Sequence, residues 1–283
     1  MTREITADQW RSVRRAYRVT GARFAEMVAR VPDPGAMVTA EWTVADTVAH
    51  VALIAKMYRS LARPDTAPLL DDRAQGQVRR TTVDTVSVLN TLVLKDFPER
   101  DIGVLVPELL AAIDEVLRVT EDADPATPLD WLGDSKVPLA GVLAHLVNEL
   151  QIHGWDIAKA VKLPWTIPPG DAALFFELFL VGVLTHGVGH LIDTDEPPRE
   201  RRIAVAFRSA YTSPVVLVLH RGRVTVEEPG GPVDARISFD PASLNLMLFH
   251  RIGKVRSALT RKIVIGGPRP WLLPAFLRVV RLP

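Results

Sequence analysis

The chain has 283 residues, no cysteine and a formal net charge of +1. A near-neutral balance supplies no global field to draw nucleic acid or an anionic membrane. The missing cysteine excludes disulfides, thiolate metal ligands and a protein thiol nucleophile, a usage that fits a reducing cytoplasm.

The N-terminus, Met-Thr-Arg-Glu-Ile-Thr-Ala-Asp, is polar and carries no apolar signal region. Thr6 with Gln9 three residues on has the pattern of a capping box, opening a helix through Trp10, Val13, Tyr17, Phe24 and Val28 that stops before Pro32. Thr43 and Asp46 repeat the pattern and open a second helix with the apolar stripe Val44, Val48, Val51, Ile54 and Leu61. Residues 80–96 and 104–119 read as two further helices, divided by Pro98 and Gly103. Pro138 suits the first turn of another helix, which ends before Pro164. Short connections between long amphipathic segments imply an antiparallel bundle.

After Pro164 the texture changes. Residues 165–170, with two prolines, read as a linker. Residues 172–192 are apolar enough to suggest a membrane span. Glu177 near the middle is costly there, and a buried helix is the reading adopted. Short β-like runs follow at 203–207, 215–220, 224–227 and 235–239, with Arg221-Gly222 as a tight turn. Asp240-Pro241 opens a helix through Leu244, Leu246, Leu248 and Phe249, residues 263–265 form a last strand before Gly266-Gly267-Pro268, and 271–280 form a closing helix. This half reads as α+β.

One stretch carries chemistry. His145, Glu149 and His153 recur every four residues, which puts all three on one helix face. Glu149 and His153 can hold one metal ion from that face, with His50 on the second helix as the best third ligand. Two imidazoles and a carboxylate suit zinc or another divalent first-row metal and leave an open coordination position. Polar pairs at this spacing are also common surface features, so spacing alone leaves an ordinary hydrogen-bonded cluster as the alternative. His145 is a pocket, proton-accepting or supporting group, and Asp156 either orients His153 or is a solvated charge. His186 and His190 form a rival pair, read as helix-end histidines rather than ligands.

Glu-Trp-Thr-Val-Ala-Asp-Thr-Val-Ala-His (41–50), followed by Asn-Glu-Leu-Gln-Ile-His-Gly-Trp-Asp-Ile-Ala (148–158), resembles the mycothiol-dependent maleylpyruvate isomerase family, a group of DinB-like metalloproteins. The likeness covers roughly residues 5–162. It implies a two-domain α+β protein: a DinB-like antiparallel four-helix bundle over 1–164 and a small α+β, sterol-carrier-like domain over 165–283. It implies a metal, zinc above all, on His50, Glu149 and His153, and mycothiol as cofactor. Residues 237–251 carry the second likeness; where relatives often end in Gly-Arg, this chain has His250-Arg251. The resemblance makes Arg251 a candidate for catalysis and cofactor binding; His145, from its place on the helix face, is a second catalytic candidate. Arg79-Arg80 is a basic pair where relatives also place an arginine, so Arg80 is a cofactor-binding candidate.

Charge points the same way. After Asp240 there is no Asp or Glu, while eight Lys or Arg occur from Arg251 to Arg281. Such a stretch favours an anionic substrate or cofactor, or is simply a solvated basic face. The expectation is a cytoplasmic, metal-dependent enzyme without nucleic-acid or membrane partners. It would use a low-molecular-weight thiol to isomerise, or transfer sulfur to, a small electrophilic substrate. The alternatives are a non-enzymatic carrier of an apolar ligand and a metal hydrolase that uses water without thiol.

Overall fold

The computed structural model describes residues 4–63, 69–195, 197–198, 200–253 and 261–281. Lys254 and Arg256 of the basic stretch lie outside the described residues.

The fold is α+β, with helices in the first half and a sheet in the second. Both expected capping boxes form. Thr6 opens α1 (Ala7–Val28) and Thr43 opens α2 (Val44–Leu61), each with reciprocal side-chain and backbone bonds to its third residue. The segment 80–96 is not one helix. α3 (Asp72–Arg80) begins at an Asp71 cap and α4 (Val86–Asp96) follows after a break. In that break the Thr82 amide donates to Thr85 Oγ1 at 2.9 Å, a local bond that competes with helix. The Val83 amide is drawn to the Leu191 carbonyl at 2.8 Å. α5 (Ile102–Val119) follows, and then a two-stranded ribbon that the sequence reading missed, β1 (Pro128–Asp130) against β2 (Lys136–Pro138). α6 (Leu139–Val161) ends as expected, at Lys162 in the left-handed conformation.

α1, α2, α5 and α6 pack on one another around a core that includes Tyr17, Phe24, Val48, Leu109, Leu143 and Leu150. That core also draws in Phe175, Leu178, Phe179 and Leu191, so packing does not break at Pro164. Nor is 165–170 a free linker. Trp165 Nε1 donates to the Gln151 carbonyl at 3.0 Å, and its ring meets Phe24 edge-on.

The apolar segment is α7 (Pro169–Leu174), a π-helical stretch (Phe175–Leu180) and α8 (Val181–His186). By length and composition this helix passes for a membrane span. Its all-round hydrophobicity has a cause within the fold: it lies between two cores. Phe175 and Phe179 face the helical core, while Phe176 and Val181 face the sheet. Glu177 accepts from the Ser213 amide at 3.0 Å.

The sheet has the order β5-β4-β3-β6-β7: β3 (Ile203–Ser209), β4 (Thr212–His220), β5 (Arg223–Glu227), β6 (Ala235–Phe239) and β7 (Ile263–Gly266). β3 and β6 pair in parallel and the other pairs are antiparallel. Arg221 and Gly222 both have positive φ, 52° and 75°, as a two-residue hairpin turn requires. Asp240 caps α9 (Pro241–Leu248), which packs against α7. The closing segment is shorter than expected: a 3-10 turn (Pro270–Leu272), then α10 (Leu273–Leu277).

Candidate metal centre

α2 and α6 pack side by side, and this contact builds the site. The fourfold spacing on α6 stacks His145, Glu149 and His153, and α2 sets His50 opposite. Ligand atoms of His50, Glu149 and His153 all lie within 4.8 Å of one another. Glu149 Oε2 stands 3.5 Å from His50 Nε2 and 3.3 Å from His153 Nε2. Donor atoms around a tetrahedral zinc with bonds near 2.1 Å are about 3.4 Å apart, which the two separations from Glu149 match. The three side chains are 5%, 12% and 11% exposed, nearly dry but not sealed.

Electrostatics favour the charged carboxylate. Burial pushes Glu149 up, but hydrogen bonds from His153 and His50, and the histidine charges around it, hold it well below the usual carboxylate range. Burial pushes His50 and His145 down, toward the neutral imidazole that ligates metals. His153 is raised to about 9; burial opposes its charge, but Asp156 and Glu149 outweigh burial. Ligation by His153 therefore displaces a proton.

His145 lies beside the trio. Its Nε2 is 3.6 Å from Glu149 Oε1, and its Nδ1 is 2.8 Å from the Tyr58 hydroxyl. Burial keeps Tyr58 protonated. Assigning that hydroxyl as donor satisfies its hydrogen and puts the imidazole proton on Nε2, toward Glu149. Trp131, Phe175 and Phe179 wall the ring. Phe175 and Phe179, both in the π-helical stretch, stack on each other and both lie against His145. Trp42 lies 4.7 Å, centroid to centroid, from His50. Tyr58, Trp131 and the two phenylalanines were missed in the sequence, where they appear only as apolar periodicity.

Asp156 is a buried partner rather than a solvated charge. Its Oδ2 lies 3.4 Å from His153 Nδ1, with the hydrogen bond not fully formed. Arg251 grips the same carboxylate: Nε is 3.0 Å from Oδ1 and Nη2 is 2.7 Å from Oδ2. Burial pushes the Asp156 carboxyl up, but His153 and Arg251 outweigh it and hold it low. Arg80 is exposed at the end of α3, and among the described contacts none ties it to the trio. His186 Nδ1 is 2.9 Å from the Gly182 carbonyl, and His190 Nδ1 is 3.0 Å from Asp193 Oδ2, so the structure keeps both apart from the trio.

A broad cleft lies elsewhere among the described residues. It measures about 1320 Å³, runs between 184–195 and the β4–β5 turn, and includes none of the trio.

A search of curated proteins gave no match. Two solved structures, of a mycothiol-dependent maleylpyruvate isomerase and of a mutant of it, each align with TM-score 0.45 at 14% identity, over 83% of this chain and 86% of that one. A family model, the mycothiol maleylpyruvate isomerase N-terminal domain, matches residues 8–158. That span is more than half of the 283 residues and holds His50, Glu149 and His153, and the chain belongs to this family.

Proposed function

We propose that this protein is a metal-dependent isomerase that uses a low-molecular-weight thiol, mycothiol, on a small electrophile of the maleylpyruvate type. S-transfer is the variant in which the sulfur is retained. The observation that carries the reading is the convergence of two imidazoles and one carboxylate, with ligand atoms all within 4.8 Å of one another. With no cysteine in the chain, a sulfur nucleophile must arrive with a cofactor. Packing of α1, α2, α5 and α6 supports a DinB-like four-helix bundle, and we read the sheet half as sterol-carrier-like.

His50, Glu149 and His153 would hold the metal and leave one position open. When bound, zinc would supply the Lewis acidity that converts a coordinated thiol to thiolate near neutral pH. Neutral His145, its Nε2–H set by Tyr58, is placed to donate a hydrogen bond to an anionic group beside Glu149. Trp42 beside His50, and Trp131, Phe175 and Phe179 around His145, set aromatic rings beside that position. Arg80 has no part in this proposal.

The test joins elemental analysis to turnover of maleylpyruvate with and without mycothiol. We expect one divalent metal per chain, no turnover without thiol, and loss of metal in His153→Ala. Stoichiometric metal in a triple substitution of His50, Glu149 and His153 would sink the ligand set. Thiol-independent hydrolysis would sink the isomerase reading.

A further inference from the structure

α9 and the turn after it reach from the sheet half to the metal helix at two places. One is buried: Asn245 Nδ2 donates to Asn148 Oδ1 and to the Ala172 carbonyl, each at 3.1 Å. The other is ionic. His250 takes a left-handed conformation, φ 61°, and the Arg251 amide returns to the Leu246 carbonyl at 2.7 Å. This reversal sends the Arg251 side chain back to α6.

Its guanidinium is committed there. Nε and Nη2 form the bidentate fork on Asp156, and Nη1 donates to the Phe249 carbonyl at 2.6 Å. The Asp156 side chain is only 7% exposed. A carboxylate so buried is tolerable as an anion only with a cation held on it. Asp156 in turn faces Nδ1 of His153, whose Nε2 faces Glu149. A carboxylate behind a ligating imidazole fixes the tautomer and ring orientation and raises basicity. The arginine expected in catalysis and cofactor binding is thus engaged with the carboxylate behind His153.

We propose that Arg251 is a positioning residue that acts through Asp156 on His153, so that the sheet half of the chain sets the metal affinity of a centre built on helices. The inference rests on the metal reading above. It predicts that metal affinity, not only activity, depends on a residue about 100 positions away from its nearest ligand in sequence.

The test is zinc affinity by chelator competition on the full-length protein. Asp156→Asn should weaken binding by about 10- to 100-fold. Arg251→Ala should weaken it by several-fold or more, with Arg251→Lys in between because an ammonium lacks the fork. The double variant should bind no worse than Asp156→Asn alone, since the arginine has nothing left to act on. Asn245→Ala cuts the other α9–α6 link and should stay within about twofold of wild type. Wild-type affinity in Arg251→Ala, multiplied losses in the double variant, or an equal loss in Asn245→Ala would each overturn the inference. If Asp156→Asn does not fold, the order of wild type, Arg251→Lys and Arg251→Ala against Asn245→Ala decides it. A wild-type protein without zinc affinity would refute the metal reading itself, whereas a wild-type protein that binds zinc with unaltered variants would refute only this inference.

Discussion

Replacing Gly154 by alanine should destabilise the protein, although alanine is the better helix former. Gly154 lies inside α6, directly after His153. A Cβ built there would stand 2.6 Å from Trp165 Cε2 and closer still to Cζ2. Carbon atoms pack at about 3.5 Å or more, so the indole must retreat by roughly 1 Å or α6 must move. Retreat of the ring gives up the Nε1 bond to the Gln151 carbonyl, about 1 kcal/mol. It also loosens the edge contact with Phe24, about 1 kcal/mol more. Movement of α6 instead costs about 1–3 kcal/mol of overpacking. Helix propensity returns about 1 kcal/mol, which leaves a net loss of about 1 kcal/mol if the ring retreats and at most about 2 kcal/mol if the helix moves. Urea denaturation reads this as a lower midpoint at unchanged slope. In a Trp165→Ala background the obstacle is gone, and Gly154→Ala should become stabilising by up to about 1 kcal/mol. A Gly154→Ala variant as stable as wild type, with no coupling to Trp165, would refute the reasoning.

His186→Ala/His190→Ala should keep its full metal content by elemental analysis, because both histidines bond locally at the end of the apolar helix; loss of metal would move the centre there. Asp46→Ala should cost about 1 kcal/mol at pH 7, since Asp46 accepts from the Thr43 amide and hydroxyl and pairs with Arg100. Burial pushes the Asp46 carboxyl up, yet these partners outweigh burial and lower it. Its contribution is therefore present above the unfolded value near 4 and is lost as pH falls through the lower folded one. The gap between wild type and variant in urea melts should shrink below pH 4; a gap that widened in acid would contradict the assignment.

Much of this protein is written in patterns at most four residues long. The capping boxes at Thr6 and Thr43 are pairings three residues apart, and both form. The strand runs at 203–207 and 235–239 alternate or stay apolar as their burial demands, and both are strands. His145, Glu149 and His153 share a face because 3.6 residues make a helical turn. Such features depend on local geometry, which the order of residues specifies. Other features depend on contacts across the chain. Tyr58 meets His145 across 87 positions, and Arg251 meets Asp156 across 95. No local periodicity marks either pair. The break at Thr81–Thr85 was illegible for a similar reason, since a backbone bond from Val83 to Leu191 helps hold it open. The apolar 172–192 segment shows the division most clearly. Its composition alone does not separate a membrane helix from one enclosed by protein. Only the packed fold, with Phe175 and Phe179 against one core and Phe176 and Val181 against another, places it between the helices and the sheet.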